Sequence, residues 1–202
     1  MATPGELCNK TAELLGLQPN TTSIAWRALR EDSRVTTGGR GKSAAHCLPS
    51  DAANLLIATI GKLPLKSYLK SWEQFSRLTC AEAAETLLEL DQGAMNPIGE
   101  IGALKAGHSF QEGLTALITS AMSGSLLPGN IHVDFHGPYP QATINLHGDN
   151  FGLWLEYSDF TSEMSDVVQP DESGDLQQSM NISGRTIIGL AEFLRRKEAQ
   201  IA

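Results

Sequence analysis

The sequence predicts an α+β fold: an all-helical N-terminal part, then a smaller α+β part with three or four antiparallel strands and a C-terminal helix. Apolar residues recur at helical spacing, between recognisable start and stop signals, from Leu7 to Ala121. From Ile131 the apolar period drops to two, the mark of half-buried strands. Charge divides the chain as well. Residues 1–70 hold nine Lys or Arg against five Asp or Glu, and residues 71–202 hold six against eighteen, within a net charge of −8. These breaks suggest a helical domain over 1–78 and an α+β domain over 79–202.

Thr3-Pro4-Gly5-Glu6 is a helix start: a capping threonine, a proline whose missing N–H costs nothing there, and a glutamate that completes a capping box. Leu7, Thr11, Leu14 and Leu15 follow at helical spacing, and Gly16 is placed to end the helix. After a turn over Leu17–Asn20, a second helix is predicted from about Thr21–Ser23 to Asp32, with Ile24, Ala25, Ala28 and Leu29 inward. Residues 36–47 form a cationic loop. Pro49-Ser50-Asp51 opens a helix through Ile60 that is apolar nearly all round and therefore central. Leu65, Tyr68, Leu69, Trp72 and Phe75 form a stripe on the next helix, read as core. Thr79 and Glu82 suggest a capped helix to about Leu90, Gln92–Gly107 a glycine-rich loop with one short helical turn, and Ser109 the cap of a helix burying Phe110, Leu114, Leu117, Ile118 and Ala121. Ile131–Phe135 and Ala142–Leu146 flank the turn residues Gly137-Pro138-Tyr139-Pro140 as a hairpin. A third strand is predicted over Leu153–Tyr157 and a short one around Met180–Ile182. A last helix, Ser183 to about Lys197, carries Arg195, Arg196 and Lys197 at its C-terminal end, where the helix dipole favours them.

With 41% hydrophobic residues the chain can bury a proper core. It has no apolar run near the ~20 residues of a membrane span and no basic-then-apolar leader pattern, so a cytoplasmic setting is expected. Cys8, Cys47 and Cys80 match no metal or redox spacing and are read as reduced thiols.

The first two helices carry the chemistry. In a helix-turn-helix a bracing helix crosses closely over a second that lies in the major groove of DNA, and the crossing needs small residues, here Ala12 and Gly16. Continued as a helix, the second segment sets Ser23, Arg27, Arg30 and Arg34 on one outward stripe. Arginines there can fork onto guanine or hold phosphate. Thr22 and Ser23 would offer hydroxyls to a phosphate at the helix start. The tract Gly38-Gly39-Arg40-Gly41-Lys42-Ser43 follows directly, and Arg40 and Lys42 would reach the backbone or minor groove as a wing or arm.

Three other chemistries are weaker. Gly41-Lys42-Ser43 resembles the end of a phosphate-binding loop, but Thr36 stands where the first glycine is required and no strand precedes it. His132, Asp134 and His136 share a strand face, with His147 on the hairpin partner; such residues can ligate zinc, yet they also suit any solvated strand. His46 beside Cys47 lacks an orienting acid. No metal, cofactor or catalytic residue is expected.

Trp26-Arg27-Ala28-Leu29-Arg30-Glu31, Gly38-Gly39-Arg40-Gly41 and Asp51-Ala52-Ala53-Asn54-Leu55-Leu56-Ile57-Ala58 together resemble the opening of small, uncharacterised prophage-type regulators of proteobacteria. The resemblance spans about residues 1–65. It implies a helix-turn-helix or winged-helix DNA reader, a repressor or activator, in which Ser23, Arg27, Arg30, Arg40 and Lys42 contact DNA. The expectation is a sequence-specific, double-stranded-DNA-binding transcriptional regulator of phage or prophage type. One such helix reads few base pairs, so a homodimer formed by the second domain is expected too. The alternative is a module that captures a host protein through its acidic second half.

Overall fold

The capping chemistry at the start of the chain forms as its residues dictate. In the computed structural model, which describes residues 2–38, 46–61, 67–81, 87–88, 98–124, 126, 131–137, 139–148, 151–159 and 178–199, helix α1 runs Pro4–Leu15, with Thr3 and Glu6 in a reciprocal capping box. Gly16 ends it at φ 67°, a left-handed conformation that costs glycine little, and its N–H returns to carbonyls of the last turn. Helices α2 (Pro19–Glu31) and α3 (Pro49–Ile60) also carry proline in the first turn. Every residue of α3 from Asp51 to Ile60 is buried, the polar Asp51, Asn54 and Thr59 among them. Helix α4 (Tyr68–Ser76) buries Trp72 and Phe75, so its aromatic stripe is core; Leu65 lies outside the described residues.

Where a helix is expected from Thr79 to Leu90, the described residues 79–80 and 87–88 are strands instead. Thr79–Cys80 forms strand β1 and Leu87–Leu88 strand β2, both antiparallel to a later strand. Long-range pairing overrides the local signal: Cys80 donates its N–H to His108 O (3.0 Å), and Phe110 donates to Leu78 O (2.8 Å). The Cys80 carbonyl, which a helix capped by Thr79 would turn to an N–H four residues on, accepts instead from Gly107 N–H (2.8 Å). Glu82 lies outside the described residues. The glycine-rich stretch contains one short 3-10 helix, Gly99–Ala103. Helix α5 (Phe110–Met122) starts with the capping box of Ser109 and Glu112, and all five of its expected inward residues are buried.

Strands β3 (Ile131–Gly137), β4 (Gln141–Gly148), β5 (Phe151–Ser158) and β6 (Gln178–Ser183) complete an antiparallel sheet ordered β1-β5-β4-β3-β6, with β2 on the same side of β5 as β1. Helix α6 (Gly184–Ala199) closes the fold. The α+β layout read from the sequence is therefore present. Ile131, Val133, Phe135, Ile144, Leu146, Leu153, Leu155 and Tyr157 point to the helices. The other face carries His132, Asp134, Thr143, Asn145, Trp154 and Glu156.

Packing does not pause at residue 78. Buried side chains from Leu7 to Leu194 make one connected cluster, with α3 against α5 and α1 against α6. Phe75 of α4 and Phe110 of α5 both meet Phe135 of β3 edge-on, with ring centroids 5.3 Å apart.

Chain ends are tied together by Lys197, whose Nζ donates to Glu6 Oε1 (2.7 Å). That bond, with those from Thr3, lowers the Glu6 pKa from 4.5 to about 2. A lowered carboxyl pKa contributes stability above about 4.5, lost as pH falls towards about 2. Both side chains are partly exposed, so the pair is worth under about 1 kcal/mol. Lys197→Met should melt slightly below the wild type at pH 7, and the two melting curves should converge near pH 2.

Candidate nucleic-acid interface

Helix α2 is gripped by α1 through its threonine. The buried Thr22 hydroxyl lies 2.9 Å from Cys8 O and 3.0 Å from Pro19 O and shares its proton between them. Cys8 Sγ in turn approaches Thr22 O at 3.8 Å. Thr22 is thus removed from the candidate contact set, because its side chain is spent holding the two helices together.

The inward face of α2 is Thr22, Ala25, Trp26 and Leu29, not Ile24, Ala25, Ala28 and Leu29. The helix is turned by a little under one residue step of about 100°. Burying the large indole of Trp26 outweighs burying Ile24, which stays 44% exposed, and the bonded Thr22 hydroxyl can be buried at low cost. The turn brings Arg27 near the middle of the outward face, beside Asn20 and Ile24, with Ser23 and Arg30 on one flank. Ser23, Arg27 and Arg30 are all exposed. Ser23 donates to Pro19 O (2.9 Å) and keeps its lone pairs outward. Among the described residues neither arginine has an acidic partner.

Arg34 leaves the stripe. Helix α2 stops at Glu31, Ser33 takes φ 58°, and Arg34 N–H returns to Leu29 O (2.8 Å), so the chain has turned away. The Arg34 guanidinium pairs with Asp32 (2.7 Å) and lies 4.5 Å from the ring centroid of Trp72. It braces the segment after α2 against α4.

Two polar residues of α3 then fasten both feet of the basic loop. The buried carboxylate of Asp51 accepts Thr36 N–H at Oδ1 (2.7 Å) and Leu48 N–H at Oδ2 (2.8 Å). Three residues on, Asn54 donates to Arg34 O (2.6 Å) and accepts from Trp72 Nε1 (2.8 Å). Cys47 donates its N–H to Ala2 O (2.9 Å). The loop therefore leaves and re-enters the fold at points pinned beside α2. Arg40 and Lys42 lie outside the described residues. Asp51 and Asn54 were missed as site residues by sequence reasoning. Their signal was present: two polar residues at i and i+3 early in a mostly apolar helix, on the C-terminal side of a glycine-rich tract.

The other clusters are less promising as sites. Asp134 accepts from Asn181 Nδ2 (2.8 Å) and Thr143 Oγ1 (3.2 Å), and among the described residues no three His, Cys, Asp or Glu side chains are gathered as for a metal ion. Burial, with Asp51 next in effect, pushes the Cys47 thiol up to about 12, far from a nucleophilic thiolate. On the inner side of the sheet, Tyr157 and His108 form a buried pair (2.8 Å). His108 Nδ1 faces Lys105 O (2.7 Å), and its Nε2 faces the Tyr157 hydroxyl. Among the described residues, no helix is long and apolar enough to cross a membrane. No family model, curated protein or solved structure matches the chain.

Proposed function

We propose that the chain binds double-stranded DNA in a sequence-specific way and acts as a cytoplasmic transcriptional regulator of phage or prophage type. The observation that carries this reading is the exposed pair Arg27 and Arg30, without an acidic partner among the described residues, on a helix whose opposite face is locked to α1, next to a cationic loop with pinned feet. Helix α2 would enter the major groove, and Arg40 and Lys42 would reach phosphates or the adjacent minor groove. Arg34 and Thr22 would act from behind, as supports. No catalytic step is assigned.

Selection from random duplexes at fixed salt tests the reading directly, and it fails if no sequence is enriched. Arg40→Ala with Lys42→Ala should weaken all duplexes alike and lower the slope of log affinity against log salt by about 2, close to one per lost phosphate contact.

A protein-capture role for the acidic part is the second reading. It is favoured by Trp154, which is 60% exposed beside Glu156 on the sheet face away from the helices. Capture of a host protein that survives nuclease treatment and is lost in Trp154→Ala would support it.

A further inference from the structure

Arg34 shows how this fold holds a guanidinium. The cation lies 4.5 Å from the ring centroid of Trp72 and donates to the Asp32 carboxylate at 2.7 Å, so an indole face and an acid share it. A second indole and acid stand together on the outer face of β5. Trp154 and Glu156 alternate with the buried Leu153, Leu155 and Tyr157, so both point away from the helices, their bases about 7 Å apart. With Ser158, the next residue on that face, and with Cys80 of β1 and Ala81 after it, they line a cleft of about 190 Å³. Trp154 is 60% exposed, and Glu156 is exposed beside it. Among the described residues no cation lies over the Trp154 ring and none pairs with Glu156. The trio completed at Arg34 here lacks its cation.

We propose that this cleft takes an arginine side chain of a partner protein, its guanidinium flat on Trp154 and forked onto Glu156, a proposal resting on the protein-capture reading. Three features select that occupant. The first is charge: the lining side chains include an acid and no base, and residues 71–202 hold eighteen Asp or Glu against six Lys or Arg, so the surroundings draw positive charge. The second is shape. A planar guanidinium stacks on an indole and still offers N–H groups to a carboxylate at its edge, whereas a lysine ammonium is a compact, strongly hydrated point charge. The third is size. A cleft of about 190 Å³ falls below the ~300–1,000 Å³ of small-molecule sites and holds one long side chain. An exposed cation over an indole and an exposed ion pair are each worth a factor of about two to five. A single arginine therefore binds weakly, and the rest of the partner's surface supplies the remaining affinity.

The test titrates the peptide acetyl-Gly-Ser-Arg-Ser-Gly-amide into the full chain and follows indole N–H signals by NMR, with that of Trp154 identified by its loss in Trp154→Phe. The Trp154 signal should shift and saturate, while those of the buried Trp26 and Trp72 stay in place. Citrulline in place of the peptide's arginine keeps the shape, removes the charge and should abolish the shift. Lysine in its place should bind about two- to fivefold more weakly. Glu156→Gln should weaken arginine binding by a similar factor and flatten its salt dependence. Glu198→Gln, at an exposed acid of α6, should change nothing. The peptide series needs only the wild type, so the outcome does not hang on any variant folding. A Trp154 signal that never shifts overturns the proposal. So does a site that binds citrulline or lysine as tightly as arginine, or a folded Glu156→Gln protein that binds as the wild type does. Capture of a host protein that depends on Trp154, together with a peptide that leaves Trp154 unmoved, overturns the arginine site and leaves the capture reading standing.

Discussion

Arg27→Ala combined with Arg30→Ala is expected to abolish sequence preference while leaving the fold intact. Both side chains are exposed and neither has an acidic partner among the described residues, so no fold contact is lost with them. Exposed substitutions of this kind shift stability by about 0.5 kcal/mol or less. A bidentate guanidinium-to-base contact is worth about 1–3 kcal/mol, so losing two would cost roughly 30-fold to 20,000-fold in affinity for the preferred site. Binding to unrelated duplexes, held mainly by phosphate contacts, should fall far less. The measurement is a competition gel shift between the selected site and a scrambled duplex at one salt concentration. A double variant that keeps its full preference would mean that α2 is not the reading helix.

Asp51→Ala should have the largest effect on stability of any single change near the site. It removes the acceptor of two backbone N–H groups, Thr36 and Leu48, from a side chain only 2% exposed. Thr36 is half-buried and Leu48 exposed, so water replaces part of what is lost, and the urea midpoint should drop by the equivalent of about 1–3 kcal/mol. Asp51→Asn is the milder probe, because its amide oxygen can still accept one of the two bonds. If the feet of the loop position its cations, Asp51→Asn should bind duplexes more weakly with a shallower salt dependence, at temperatures where it is fully folded. Unchanged binding by a folded Asp51→Asn protein would confine Asp51 to a structural role.

Several elements were legible because their causes are local. Thr3 with Glu6 and Ser109 with Glu112 each bring a capping hydroxyl and its carboxylate within three residues, so the signal and the structure occupy the same short stretch. Alternation from Ile131 reported the sheet equally well, since one face of each strand is buried. Thr79 and Glu82 carried a similar cap signal, yet Thr79 lies in β1, paired with Ser158 far along the chain. A local propensity of this size yields to a ladder whose partners cannot be seen from nearby residues. The rotation of α2 was hidden for a related reason. Whether Trp26 or Ile24 turns inward depends on which neighbour, α1, α3 or α4, has room for an indole.

By itself the sequence determined where α1, α3, α5, the hairpin and α6 lie, which face each of these buries, and that positive charge gathers near the N-terminus. Tertiary structure alone decided that Thr22 and Arg34 serve the fold, that Asp51 and Asn54 hold the feet of the loop, and that Thr79–Cys80 joins the sheet. The physical reason is range. Caps and periodicity act over one or two turns, whereas a carboxylate joining residues 36, 48 and 51, or a ladder that sets Thr79 against Ser158, exists only once distant segments have met.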